Sequence, residues 1–536
     1  MPSTASPLTR RLAVVGLATG LALAVAASFP AHASAKSGSG CSVQKRAARI
    51  VSLQVFKSHI RPTQAAYFRT HKRARVRQAF ARGQQRRLGA LKRAVAVCGK
   101  AGANAVPETV PDPPTAPCSP SLYSAPYTEM NEGTTNAALP LRPGAQIRAV
   151  MLFVDFPNLH SSESTSAIYD RMIPRARAWF NEVSYGHVQL DVTPVHQWFR
   201  MPGSLGSYGL SDGISWQEHH DYMADAIRAA DPSVDFSAYQ VVYVVAAKGT
   251  GVERSPAFQA YPGSGIQADG TELRYGATFF EDTKSDARYA ANVLIHETGH
   301  ILGLPDLYDV PHPTFWSLFR FAGGWDMMSW NDPGGHFLAW EKWKLGWIDA
   351  SQLTCVSGPG ELTTTITPLE RAEGLKAIVV PTGISSAYVI EARKRIGEDT
   401  PLCQSGVLIY TVDASVRSGY GPVQVHAAQR DNTGGDEFNR CGPLYNAPFS
   451  SAKGKVARFT DDTAGLTVQV LSSSATGYRV RVTRTSYAPQ GGPAQVKQGS
   501  PQSVQSQENL APPQGPFSTI SLPFGLGWDL APLEAG

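Results

Sequence analysis

Acidic residues are missing from the start of the chain, where no aspartate or glutamate precedes Glu108. Residues 41–100 hold 16 of the 49 lysines and arginines, whereas residues 101–536 carry 30 basic and 43 acidic residues. This contrast favours attraction between a basic arm and an acidic body at least as readily as binding to nucleic acid. We therefore expect no nucleic-acid partner.

Long apolar runs are also scarce, and only one stands out. Arg10 and Arg11 precede "LAVVGLATGLALAVAASF" and then "PAHASA". This order is typical of a secretory signal peptide, which we predict over residues 1–35 with cleavage after Ala33 or Ala35. A membrane anchor is the alternative, but the core is rich in Gly and Ala and poorly suited to it. Twin-arginine export is a further possibility. We expect a secreted, extracellular monomer without a stable membrane anchor.

Cysteines are few, and none of them forms a Cys-x-x-Cys pair. This spacing argues against a zinc site built from cysteines. An even number in an exported chain favours disulfide bonds, and Cys41 with Cys98 is one attractive pair because they bracket the basic block. The six cysteines are at positions 41, 98, 118, 355, 403 and 441.

The N-terminal third of the chain divides into a basic and a proline-rich segment. Residues 36–100 place apolar residues at helical spacing among Arg and Lys, which predicts a helical prosegment that docks on the acidic body. A solvated basic hairpin and an arm that binds nucleic acid or anionic surfaces are the alternatives. Residues 101–143 predict a Pro-rich, exposed linker that suits proteolytic cleavage.

The rest of the chain changes texture near residue 350. Alternating strands and helices predict an α/β domain over 144–350, with "IRAVMLFVDF" as a buried strand and a helix that breaks near Pro174. Short β-type runs between turn residues predict an all-β sandwich or barrel-like domain over 351–485. The Gln-, Pro-, Ser- and Gly-rich tail, 486–536, predicts disorder.

The segment "HETGHILGLPD" at residues 296–306 carries the clearest chemical pattern. It ends a predicted helix over 285–303, capped by Ser285 or Asp286. Residues four apart share a helix face, so His296 and His300 can present two imidazoles to one Zn²⁺, with Glu297 placed to act on a water. A solvated helix face with two unrelated histidines is the ordinary alternative.

A third metal ligand is needed, and two carboxylates compete for the role. Gly303 can close the helix and reverse the chain, which brings Asp306 towards the metal in the extended HExxHxxGxx(H/D) pattern. Glu341, on a predicted helix over 336–347, is the alternative, and we favour Asp306. The segment "GGWDMMSW" at 323–330 suits a turn in which Met327 or Met328 packs beneath the ligands, although core packing alone would also explain it.

The remaining candidates have weaker patterns. Tyr308 is a candidate to stabilise a developing oxyanion, with packing as the alternative. Asp309 and Asp326 are candidates to orient ligands or to bind structural Ca²⁺, with turn or capping roles equally favoured. We expect surface or core roles for His219, His220 and His336. We expect His312 to lie on the rim of the cleft.

Several ordered segments resemble the immune inhibitor A-type secreted metallopeptidases. These are "MLFVDFP", "WFNEVSYGHVQLDVTPVHQWF", "DFSAYQVV", "HETGHILGLPDLYD", "GGWDMMSW" and "AWEKWKLGWI", within residues 145–415. The resemblance implies a zincin-like (metzincin-like) catalytic domain and a secreted zinc endopeptidase with an inhibitory propeptide. By motif, His296 and His300 are zinc ligands, Glu297 is the catalytic base and Asp306 occupies the extended-motif position. The basic block itself matches no propeptide motif of that family.

Together these patterns predict a protease that acts on protein or peptide substrates and is held latent by its own prosegment. The competing class is a secreted binding protein whose zinc is structural or vestigial and whose basic arm binds polyanions. Another metal-dependent hydrolase on the same site is a weaker alternative.

Overall fold

The computed structural model describes most of the chain from residue 144 onwards and isolated parts before it. The predicted signal peptide, the Cys41–Cys98 pair and the tail from residue 487 lie outside the described residues, as does the basic prosegment except for Lys92. The described residues are 92, 118, 130–133, 139–142, 144–210, 214–284, 286–383, 385–429 and 441–486.

The first sheet is built around β1 (Gln146–Asp155), an almost unbroken apolar run. Its side chains alternate between two cores: Met151 and Phe153 pack in one, whereas Leu152 and Val154 pack in the other. A strand covered on both faces requires such a run, because every position loses its contact with water. The predicted buried strand is therefore confirmed.

This sheet has five strands in the order β2-β1-β3-β7-β4. The first four run parallel, and β4 pairs with β7 antiparallel at the edge. Two short strands, β5 and β6, form a separate hairpin. The bounds are β2 Gln189–Arg200, β3 Val241–Ala246, β4 Ala257–Gln259, β5 Ile266–Ala268, β6 Thr271–Leu273 and β7 Tyr275–Phe279.

Helices cover both faces of the sheet. On one face, α1 (Thr165–Val183) packs against α3 (Ala287–Ile301), and on the other lies α2 (Trp216–Ala230). Two short helices follow, α4 (Phe315–Leu318) and α5 (Ala339–Lys344). None of the helices within the described residues has both the length and the apolar character that crossing a membrane requires.

The predicted break near Pro174 is wrong, because α1 continues through this residue. A proline inside a helix lacks the N–H that would bond to the preceding turn. Here the helix buries Met172 and Ile173 just before the proline and Trp179 and Phe180 after it. The burial of these large apolar side chains outweighs the lost hydrogen bond, so packing overrides the local signal.

The C-terminal part forms a β-sandwich. One sheet has the order β13-β12-β11-β10-β8 and the other β14-β15-β16-β9. Their facing side chains, such as Ile390 and Val480, share an apolar core. The bounds are β8 Leu353–Cys355, β9 Gly360–Ile366, β10 Ala377–Pro381, β11 Ser386–Arg393, β12 Gly406–Asp413, β13 Val423–Val425, β14 Arg458–Asp461, β15 Leu466–Ser474 and β16 Gly477–Arg484.

The sandwich and the α/β part are joined by a continuous core. Val389 and Leu408, on the other face of the first sandwich sheet, belong to the same buried cluster as Leu294 of α3. Both parts fall within one compact unit, residues 111–536. The sequence pattern changes near residue 350 because the secondary structure changes there, but the hydrophobic core continues across this boundary.

The expectation of an exposed linker is wrong for most of the described residues of segment 101–143, although Arg142 is exposed. Asn131, Glu132 and Leu141 are buried, and Cys118 is tied to Cys355 by a disulfide that joins this segment to β8. A second disulfide links Cys403 and Cys441. An apolar residue or a cysteine among many prolines gives no local sign of burial, since its partners lie far away in sequence.

Candidate metal centre

Helix α3 presents the two histidines of the motif on one face. Its N-terminus is capped by Asp286, whose carboxylate accepts a hydrogen bond from the backbone N–H of Tyr289 at 2.8 Å. The imidazole rings of His296 and His300 stand one turn apart, with centroids separated by 4.8 Å. The last three turns of the helix are buried, so both rings are fixed by packing.

The chain reverses at Gly303 and returns towards the histidines. Gly303 has φ +95°, a left-handed conformation that favours glycine, and its N–H donates to the carbonyl of His300 at 2.8 Å. After this turn, Asp306 Oδ1 lies 3.2 Å from Nε2 of His296 and 3.2 Å from Nε2 of His300. Two ring nitrogens and one carboxylate oxygen thus converge on one point.

The other nitrogen of each ring faces a backbone carbonyl. His296 Nδ1 lies 2.7 Å from the carbonyl oxygen of Met327, and His300 Nδ1 lies 2.9 Å from that of Leu304. A carbonyl only accepts, so each Nδ1 carries a hydrogen and each Nε2 is left with its lone pair when the ring is neutral. Three electron-pair donors then face one another, which is the donor set that a divalent cation such as Zn²⁺ accepts.

The electrostatics of this cluster favour positive charge between the rings. Burial acts to lower the pKa of His300, but the Asp306 carboxylate outweighs it and raises this pKa to about 9. Burial likewise acts to raise the pKa of Asp306, but the two histidines hold it well below its ordinary value. Asp306 therefore stabilises a positive charge at the imidazole pair, whether this charge is a proton or a cation.

Glu297 lies beside the histidines and is itself buried. Ligand atoms of His296, Glu297 and His300 all lie within 4.8 Å of one another. Burial raises the pKa of Glu297 to about 7, against the opposing effect of the histidines. The Asp306 oxygen lies 3.2 Å from both Nε2 atoms and is therefore the candidate third donor, with Glu297 beside it.

Tyr308 also reaches the cluster. Its ring stacks on that of His296 with an interplanar angle of 10°, and its hydroxyl lies 3.3 Å from His296 Nε2. Burial, together with the carboxylates of Asp306 and Glu297, raises the pKa of Tyr308 well above its ordinary value. The phenol therefore keeps its hydrogen and remains a donor.

The two methionines of "GGWDMMSW" lie beneath α3, and both are fully buried. Met327 contributes its carbonyl to His296. Met328 packs against Gly299, inside the HETGH segment, and its carbonyl accepts from the N–H of Leu307 at 2.9 Å. The turn thus contacts the helix of the histidines and the returning chain of Asp306 at once.

Glu341 is not brought to the histidines. It is fully buried on α5 beside Asp326 and Glu132, and burial raises its pKa well above the ordinary value. Asp326 closes the methionine turn, because its carboxylate accepts hydrogen bonds from the N–H groups of Met328 and Leu338, both at 2.6 Å. The choice between Asp306 and Glu341 therefore favours Asp306 on position.

The four other histidines that the sequence analysis singled out have separate environments. His219 is buried and lies 3.0 Å from Thr278 Oγ1, and burial lowers its pKa to about 3. His336 is buried, and His220 contacts its neighbour Asp221. His312 contacts Asp309, which also binds Arg320. Within the described part of the chain, none of the four approaches the cluster of His296 and His300.

Neither a family model nor a curated protein matches this chain. The resemblance to immune inhibitor A-type peptidases therefore stays a prediction from the quoted segments.

Sequence reasoning missed Ser418, which contacts Asp306 from the β-sandwich. The backbone N–H of Asp306 donates to Ser418 Oγ at 2.9 Å, across 112 positions of sequence. No local pattern marks this serine, because its role depends on long-range packing.

Proposed function

We propose that this chain is a secreted zinc-dependent endopeptidase made as a zymogen, with a zincin-like catalytic domain. The observation that carries the proposal is the convergence of His296 Nε2, His300 Nε2 and Asp306 Oδ1, with Glu297 beside them. Two imidazoles and one carboxylate are a donor set typical of hydrolytic zinc sites, which leave a position open for water.

Zinc fits these residues, since both histidines have their Nδ1 atoms committed to carbonyls and their Nε2 atoms turned towards Asp306. When bound, the ion supplies Lewis acidity to a water molecule and to the carbonyl of a peptide. Glu297 takes a proton from water and returns it to the leaving amine. Burial raises the pKa of Glu297, which favours the uptake of a proton by its carboxylate.

Tyr308 supplies a hydrogen-bond donor at the same point. Its hydroxyl lies close to His296 Nε2 and keeps its hydrogen, so it can donate to an oxygen on which negative charge develops. The cluster thus contains a base and a donor within one buried space.

The proposal is tested by casein digestion with processed protein. Wild type should cleave casein, and this cleavage should stop when a chelator removes the metal. Glu297→Gln should still bind about one zinc ion but lose activity by at least about 100-fold, because the amide cannot accept the proton. Glu361→Gln is the matched control, since Glu361 is half exposed and, among the described residues, forms its ion pair with Arg481 at the surface.

Two results would contradict the proposal. Full activity of Glu297→Gln would remove the assigned base. Stoichiometric zinc without any cleavage of casein or peptides would favour the alternative, a secreted binding protein with a structural zinc. The zymogen part is tested in the same assay, in which equal rates before and after cleavage N-terminal to Cys118 would contradict latency.

A further inference from the structure

The loop between β12 and β13, residues 414–422, approaches the proposed metal ligand Asp306 from the β-sandwich. We call it the support loop. It is bordered by Asp413, the last residue of β12, and Val423, the first residue of β13. The loop therefore belongs to the β-sandwich, which the sequence pattern distinguishes from the α/β part.

The support loop fixes the backbone of Asp306 on both sides. The N–H of Asp306 donates to Ser418 Oγ at 2.9 Å, and the N–H of Gly419 donates to the carbonyl of Asp306 at 2.9 Å. Asp306 follows the end of α3 and Pro305, so helical hydrogen bonds no longer hold it. These two bonds replace them.

Ser418 also lies next to the side chain of Asp306. Its hydroxyl is 3.5 Å from Asp306 Oδ2, whereas Oδ1 is the oxygen that faces His296 and His300. Ser418 therefore contacts the Asp306 carboxylate at the oxygen that does not face the imidazoles. The same serine also holds the backbone of Asp306. Both contacts restrict rotation of the carboxylate.

The approach of the loop is close and requires glycine. Gly419 has φ +76°, and a Cβ there would lie 2.7 Å from Val310 Cγ2. The N–H of Val310 donates to the carbonyl of Gly419 at 3.0 Å, and Asp309 forms a β-bridge with Tyr420. The returning chain after Asp306 is thus paired with the support loop over several residues.

From these contacts we infer that Ser418 is a positioning residue for Asp306 and that the β-sandwich completes the metal centre. The inference rests on the proposed function, since it assumes that Asp306 is a zinc ligand. Groups that orient a ligand change metal affinity without touching the metal, typically by 10- to 100-fold. The β-sandwich then contributes directly to metal binding.

The test compares zinc affinity among serine variants of processed, full-length protein, by competition with a chromophoric chelator. Ser418→Ala should bind zinc about 10- to 100-fold more weakly than wild type. Ser415→Ala is the matched control in the same loop, because the Ser415 hydroxyl donates to Asp413 Oδ1 at 2.6 Å and not to Asp306. This control should keep the affinity of wild type.

A second pair of variants covers the case in which Ser418→Ala does not fold. Ser418→Thr keeps the accepting oxygen and should stay near the affinity of wild type. Ser418→Cys fills similar space with a weaker acceptor and should bind zinc more weakly. Thermal unfolding of chelator-treated samples checks that the variants share one fold.

The outcomes separate the inference from the proposed function. If wild type itself binds no zinc, the proposed function fails. If wild type binds zinc and the Ala and Cys variants bind it equally well, the inference about Ser418 is overturned while the proposed function stands. Weak binding by Ala and Cys, with Thr and Ser415→Ala near wild type, supports the inference.

Discussion

Gly299, between the two histidines, shows how closely the methionine turn packs on α3. A Cβ at this position would lie 2.5 Å from Met328 Sδ and 3.3 Å from Phe337 Cζ. Met328 and Phe337 are fully buried, so neither can move into solvent. The absence of a side chain at Gly299 lets the turn reach the helix and bring the Met327 carbonyl to His296.

We therefore predict that Gly299→Ala lowers the free energy of unfolding by about 1–3 kcal/mol, because an added methyl group must displace a packed side chain. Urea unfolding measures the change. Gly206→Ala is the control, since no atom lies within 4 Å of an added Cβ there. Its effect should stay within about 0.5 kcal/mol. Equal effects of the two variants would contradict the packing argument.

The residues that sequence could predict at the site are those of one local pattern. His296, Glu297, His300 and Asp306 lie within eleven consecutive residues, where helix periodicity and a glycine turn determine their positions. Ser418 could not be predicted, because its contact depends on how a distant β-loop packs. Local spacing identifies the candidate donor residues, whereas tertiary structure determines how their side chains are oriented.

At the scale of elements, strand β11 ends in a buried arginine that holds the methionine turn. Arg393 donates to the carbonyl of Trp325 at 3.0 Å. It also contacts Asp399 at 2.6 Å, Glu391 at 3.1 Å and Glu370 at 3.5 Å. All four side chains are buried, and one guanidinium balances only one ionised carboxylate, so burial favours the protonated form among the other carboxylates.

Two of these carboxylates have a raised pKa: Glu391, through its burial, and Glu370. Burial, reinforced by the neighbouring Asp399, raises the pKa of Glu370 from 4.5 to about 9. The folded protein thus holds a proton that the unfolded chain releases above about pH 4.5. This contribution to stability is complete below the unfolded value and is lost as the pH rises towards the folded value. Asp399, with a lowered pKa, is ionised in both states across this window.

We predict that Glu370→Gln flattens the decline in stability between pH 6 and 9, because the amide does not titrate. As the pH rises, the free energy of unfolding of the wild type should fall by at most about 1.4 kcal/mol per pH unit relative to the variant. Urea unfolding at several pH values measures the two slopes. Glu373→Gln, an exposed neighbour, should keep the slope of wild type. Identical slopes for all three proteins would show that Glu370 is ionised in the folded state.

Secondary structure was predictable where burial and periodicity agree, and less so where packing overrides a local signal. The run of β1 and the periodicity of α3 extend over whole elements, so their assignment needs no tertiary information. Pro174 is the counterexample, since its helix continues because its apolar face is buried on the sheet and α3. The residues around Pro174 do not indicate how extensive that packing is.

At the scale of the whole molecule, the segment before the α/β part is integrated into it. Trp340 Nε1 donates to the carbonyl of Glu132 at 3.1 Å, and Asn131 forms a β-bridge with Arg417 of the support loop. The Cys118–Cys355 disulfide closes a separation of 237 residues. Release of a prosegment would therefore require cleavage before Cys118, because this cysteine, Asn131 and Glu132 are bonded to the body.

The division into an α/β part and an all-β part could be predicted from the sequence pattern. The packing of the two parts against each other could not. A boundary near residue 350 separates two kinds of secondary structure, yet Val389 and Leu294 share one core. Such a core depends on which faces meet, and periodicity alone does not identify the partner face. The contact between the sandwich and Asp306 follows only from this packing.

The most direct test of the central claim is anomalous diffraction at the zinc edge from crystals of processed protein. The account predicts one peak of full occupancy, bonded to Nε2 of His296, Nε2 of His300 and a carboxylate oxygen of Asp306 at about 2.0–2.2 Å. A crystal without a peak at these three atoms, or one in which Glu341 replaces Asp306 as the ligand, would contradict it.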